Sequence, residues 1–70
     1  AVSFTDGPLT TALEEPARTI DGRRSIRWGR IDGGYGAELA AIGSDRTVSV
    51  AAYRLSEPEA VALFRSLAES

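Results

Sequence analysis

Between positions 18 and 30 the chain sets Arg18, Arg23, Arg24, Arg27 and Arg30 around its one tryptophan, Trp28, with Asp21 as the single acid of that stretch. Guanidinium forks bind phosphates and stack on aromatic or base planes. Taken alone, the segment has the chemistry of a nucleic-acid contact. The flanks oppose it. Residues 1–17 carry −3, residues 18–30 carry +4 and residues 31–70 carry −3, for a net charge of −2. Sequence-independent affinity for polynucleotide scales with the phosphates neutralised, and an acidic chain with one basic segment is poorly equipped for it.

Catalytic chemistry finds less to work with. The serines have no histidine or lysine to activate them, because all eight basic residues are arginine and there is no histidine; nucleophilic catalysis needs such a base. Glu14 and Glu15 are sequence neighbours and point apart on a helix, while Glu57 and Glu59 fit a helix start better than an acid–base pair. The stretch Gly33-Gly34-Tyr35-Gly36-Ala37-Glu38-Leu39 contains G-x-G, yet Leu39 replaces the third glycine of a dinucleotide loop and no P-loop lysine follows. No aspartate pattern suits a hard cation, and cysteine is absent. The expectation is a non-enzyme with no catalytic residue, no cofactor and no metal.

Seventy residues bound the architecture to one small domain, 1–70, whose core offsets its entropy cost only narrowly. With disulfides ruled out, a partner subunit or the remainder of a longer chain is the available support. The first residue is Ala1, consistent with a fragment or a subunit of a larger assembly. No apolar run approaches the roughly 20 residues of a membrane span, and the N-terminus lacks the basic-then-apolar pattern of a signal peptide.

Val2-Ser3-Phe4 reads as a short strand stopped by Asp6-Gly7-Pro8. Leu9, Ala12 and Leu13 then recur at helical spacing until Pro16 forbids continuation, which gives one or two turns of helix or a loop. Arg18–Ile20 and Ser25–Ile31 flank Asp21-Gly22. A two-residue turn there sets Ala17 beside Ile26 but turns Ile20 away, so the register of this first hairpin stays open.

The next hairpin selects its own register. With Asp32-Gly33 as a type I′ turn, Trp28 faces Ala37, Ile26 faces Leu39, and Arg27 faces Glu38. A one-residue slip mixes every apolar and polar pair. At Gly43-Ser44-Asp45-Arg46 a two- or four-residue loop pairs Ile42 with Thr47. Leu39 then meets Val50, Ala37 meets Ala52 and Gly36 meets Tyr53, and Val48 joins the same dry face.

Ser56-Glu57-Pro58-Glu59 has the form of a capping box with proline in the first helical turn. Ala60, Leu63, Phe64 and Leu67 follow as an apolar stripe. The predicted fold is α+β, an antiparallel meander of three to four strands packed by a C-terminal helix. Its core is Ile26, Trp28, Leu39, Val48, Val50, Leu63, Phe64 and Leu67.

The "IDG" turn, the "IRW" and "TVSVAAY" strands and the "LSEPEAVALFRSLAES" helix make Pro16–Ser70 resemble the C-terminal strand–hairpin–helix unit of actinobacterial extracytoplasmic lipoproteins and anchored anti-sigma regulators. The resemblance implies a structural or protein-binding role, brings no catalytic residues, and would favour an extracytoplasmic setting.

The function expected is therefore a non-catalytic protein–protein interaction module or small accessory subunit, with a protein partner or a homo-oligomer. The alternative is a nucleic-acid-associated regulator using Arg18–Arg30. Arg27 is neutralised by Glu38 in the predicted register, so Arg23, Arg24 and Arg30 are the freer charges. With Ile31, Tyr35 and Tyr53 they make up the candidate partner surface, Ile31 and Tyr53 lining the sheet's second face beside Ala51 and Ile42.

Overall fold

The computed structural model of the chain describes residues 1–9, 12–14, 16–40 and 46–70. Strands β1 (Val2–Asp6), β2 (Arg18–Asp21), β3 (Ser25–Ile31), β4 (Gly34–Ala40) and β5 (Thr47–Tyr53) precede helix α1 (Glu57–Glu69). All neighbouring strands are antiparallel, in the spatial order β1-β5-β4-β3-β2. The fold is α+β as predicted, with five strands among the described residues where three to four were expected. The fifth arises because Val2–Asp6 pairs with β5 at the far end of the sequence, a partner no local turn could announce.

The central hairpin has the predicted register, Ile26 opposite Leu39, Arg27 opposite Glu38 and Trp28 opposite Ala37. Its turn differs in type. Gly33 has φ +87° while Asp32 does not share the positive region, a pattern that belongs to type II rather than type I′. The open question at β2–β3 is resolved by a longer turn. Asp21 pairs with Ser25, so Gly22-Arg23-Arg24 form the loop, and Ile20 comes to rest opposite Ile26 on the dry face.

The β4–β5 register is two residues from the predicted one: Ala37 faces Val50, Leu39 faces Val48, and Tyr53 faces Gly34. A shift of two preserves which side each residue occupies, so the apolar face survives the correction. The turn assumed at Gly43–Asp45, and Ile42 before it, lie outside the described residues.

Helix α1 begins as its sequence directs. The Ser56 hydroxyl accepts from the Glu59 amide, and the Glu59 carboxylate accepts from the Ser56 amide at 2.9 Å. The helix packs over β2, β3 and β4. Its buried line is Ala60, Phe64 and Ala68, with Leu63 and Leu67 half-buried at the flanks. The expected stripe is thus rotated, because small residues at 60 and 68 let the helix approach while Phe64 inserts. Phe64 is fully buried and meets Trp28 at 6.0 Å between ring centroids, tilted by 44°. Burying such a ring contributes about 1.5–3 kcal/mol, a large part of a small domain's margin. The predicted core residues Ile26, Trp28, Leu39 and Val50 are buried, with Val48 half-buried beside them.

The middle of the sheet's second face is also covered. The described parts of the connection from β1 to β2, here called the strap, cross it. Gly29 and Gly36 lie opposite each other on β3 and β4 and leave a trough with no side chains. Leu13 and the Glu14 backbone lie against Gly29, while Leu9 and Ile31 close over Gly36. The Leu9 amide donates to Glu38 Oε2 at 3.1 Å, and the Glu14 amide donates to the Arg30 carbonyl at 2.8 Å. No helix forms in the strap's described residues, because Leu9 and Leu13 are held by the trough rather than by a helix face.

Candidate interaction surface

The five arginines of the basic segment diverge. Arg18 lies over the Trp28 ring at 5.6 Å, and Arg30 lies over Tyr35 at 6.0 Å. Arg30 also approaches Glu14 at 4.0 Å. Arg27 projects from the opposite face and pairs with Glu38 at 3.4 Å, as its register requires. Arg24 is drawn into the fold: its amide donates to the Ala68 carbonyl at 3.2 Å and its guanidinium to the Ser70 carbonyl at 3.3 Å. The last turn of α1 has no basic residue of its own, so Arg24 supplies from a neighbouring loop the positive charge a helix C-terminus favours. Arg23 stays exposed at the tip of that loop.

Arg18, Trp28 and Arg30 border a notch of about 190 Å³ with Gly29 and Pro16. Glu14 and Glu57 share its rim, so two carboxylates face the two guanidinium groups. Among the carboxyls, Glu59 is held below the ordinary glutamate range by hydrogen bonds from the Ser56 amide and then its hydroxyl. That shift belongs to helix capping.

Two of the candidate partner residues are less open than expected. Ile31 is 5% exposed, enclosed by the strap that fills the face it was to offer. Tyr35 is half-buried on the helix side, 6.3 Å from Trp28. Tyr53 does remain exposed on the second face, with its ring against Gly33. Arg23 and Arg24 share the β2–β3 loop, whereas Arg30 lies on β3 and Tyr53 on β5.

The structure exposes a different surface, the outer edge of β1. Ala1 and Tyr53 exchange backbone hydrogen bonds at 2.8 and 2.9 Å, and the Gly7 amide donates to Thr47 at 2.7 Å. Hydrogen-bonding direction alternates along a strand, so Val2, Phe4 and Asp6 turn their N–H and C=O groups toward the open side. Their side chains share the helix side of the sheet with Ala52, Val50 and Val48. The cover of α1 ends before it reaches them, and Phe4 is 57% exposed and Val2 42%. The signal in the sequence was the V-S-F-T-D alternation; what it lacked was the strand's position at a sheet edge.

The two edges differ in protection. β2 has four residues, two of them the charged Arg18 and Asp21, which is how natural sheets discourage further pairing. β1 has five residues with a single charge, no proline and no lysine.

Comparison of the chain with protein-family models, with curated proteins and with solved structures gives no match.

Proposed function

We propose that the chain is a non-catalytic protein-interaction module that takes an extended segment of a protein partner as an added strand on the edge of β1. The observation that carries this reading is the edge itself, left open by the described residues, with Val2 and Phe4 exposed beside outward-facing backbone groups. In such strand addition, main-chain hydrogen bonds supply affinity and alternate side chains supply specificity. The resemblance to lipoprotein and anti-sigma units implies the same class of role.

The dispersal of the arginines supports this reading over a polynucleotide contact. Arg24 is engaged with the helix terminus, Arg27 with Glu38 and Arg30 with Glu14. No binding to polynucleotide is expected at low salt, and binding that falls steeply with added salt would favour the nucleic-acid alternative.

The test is the hydrodynamic size of the chain in an extract of its native cells, for wild type and for Phe4→Lys. Migration of wild type in a complex, lost on substitution, is the expected result. Migration of both at the size of the free chain, together with one-chain mass of the purified protein up to ~1 mM, would count against the reading.

A further inference from the structure

Resting on that reading of the β1 edge, we propose that the strand it accepts is β1 of a second copy, paired antiparallel about a two-fold axis through Phe4. The five-residue strand Val2–Asp6 is centred on Phe4, and Phe4 is one of the residues whose backbone groups face outward. Val2 and Asp6, the other two, lie symmetrically on either side. Opposing the strand to itself therefore sets Phe4 across from Phe4 and Val2 across from Asp6, each as a hydrogen-bonded pair. Ser3 falls opposite Thr5 on the second face, a hydroxyl pair that suits cross-strand contact. Isologous pairing of this kind is the commonest closed symmetry among oligomers.

Other registers fit less well. A shift of two one way pairs Phe4 with Val2 and leaves Asp6 beyond the end of the second strand. A shift of two the other way puts the Asp6 carboxylate against the Phe4 ring. Charge does not oppose the central register, because Arg46 approaches Asp6 at 3.6 Å within each copy.

The observed registers show what the pairing would join. Arg18, Trp28, Ala37, Val50 and Phe4 stand opposite one another across the sheet. Meeting at Phe4, two such rows form one band, apolar from one Trp28 to the other, beneath and between the two helices. This covers each exposed Phe4 with its counterpart and sets each Val2 beside Asp6 of the other copy. The contact is small beside the ~1,200 Å² at the lower end of stable interfaces. Association is accordingly weak and reversible, with half-dimerisation near ~0.1 mM.

Sedimentation equilibrium of the purified chain tests this, from ~10 μM to ~1 mM. The expected mass rises from one chain toward two. Phe4→Lys and Phe4→Glu each place like charges directly across the axis and are expected to remain at one-chain mass. Mixed in equal amounts, they are expected to recover the two-chain mass, an outcome that mere loss of folding cannot produce. Circular dichroism and Trp28 emission check that each variant keeps the fold.

Wild type at one-chain mass throughout the range would overturn the proposal, as would dimerisation unaffected by Phe4→Lys, or a mixture that stays monomeric. If wild type is monomeric alone but migrates in a Phe4-dependent complex in extract, the second copy is wrong and the interaction module stands. If it is monomeric in both settings, both ideas fall.

Discussion

Gly22 lies so close to Ala68 that a β-carbon on it would stand 2.6 Å from the Ala68 carbonyl oxygen. Two residues on, the Arg24 amide donates to that same oxygen. The β2–β3 loop thus latches the end of the helix to the sheet, and it does so through backbone, where neither side has a flexible tip to move aside. Gly22→Ala is expected to force the helix terminus outward and to cost about 1–3 kcal/mol, read as a lower urea midpoint. An unchanged midpoint would mean that the latch does not hold the helix.

The two glycines of the trough predict opposite outcomes. A β-carbon on Gly36 would come within 2.9 Å of the Ile31 Cγ2 methyl and 3.3 Å of Leu9, whereas one on Gly29 meets nothing nearer than 3.4 Å. Gly36→Ala should cost about 1 kcal/mol and speed proteolytic cleavage in the strap. Gly29→Ala should fall within about 0.5 kcal/mol of wild type. Equal effects at the two positions would show that the strap does not seat there.

Arg54 has φ +64°, the one described non-glycine residue in the left-handed region. The conformation costs an L-residue roughly 1–2 kcal/mol and glycine little. Arg54→Gly should therefore stabilise the chain by up to about 1 kcal/mol after the added unfolded-state entropy is subtracted. Thermal denaturation decides it, and a lower midpoint for the variant would refute the strain.

Ser56→Ala should cost about 1 kcal/mol through loss of the helix cap. The reciprocal bond gives a pH signature. Glu59 is depressed in the folded state by its bonds from Ser56, so its contribution is complete above the unfolded pKa and is lost as pH falls through the folded one. Denaturant midpoints of wild type should decline in acid, below the ordinary glutamate range, and Glu59→Gln should flatten part of that decline. Identical pH profiles for the two proteins would remove the assignment.

How far the sequence spoke depends on distance along the chain. Trp28 opposite Ala37 was legible because a two-residue turn and an alternating pattern agree within a dozen positions. The β4–β5 register slipped by two because no rule fixed the length of the loop beyond Ala40, yet Val48 and Val50 kept their side since the slip was even. Tyr35 is expected in the partner surface, although the alternation that turns Ala37 and Leu39 inward includes it. Ile31 and the strap were hidden for another reason: the trough exists only once Gly29 and Gly36 meet across two strands. The β1 edge was least accessible, since Phe4 faces Val50 from the other end of the polypeptide.

That last pairing has a consequence for biosynthesis. Strands β2 to β5 are laid side by side in the order in which they leave the ribosome, whereas the first strand emerges early and must wait for the fifth before it has anywhere to bind. Closing so long a loop is slow relative to forming local hairpins. During translation Val2 and Phe4 travel as an unsheltered apolar pair, and a nascent chain would meet neighbouring nascent chains while that pair is still unaccompanied.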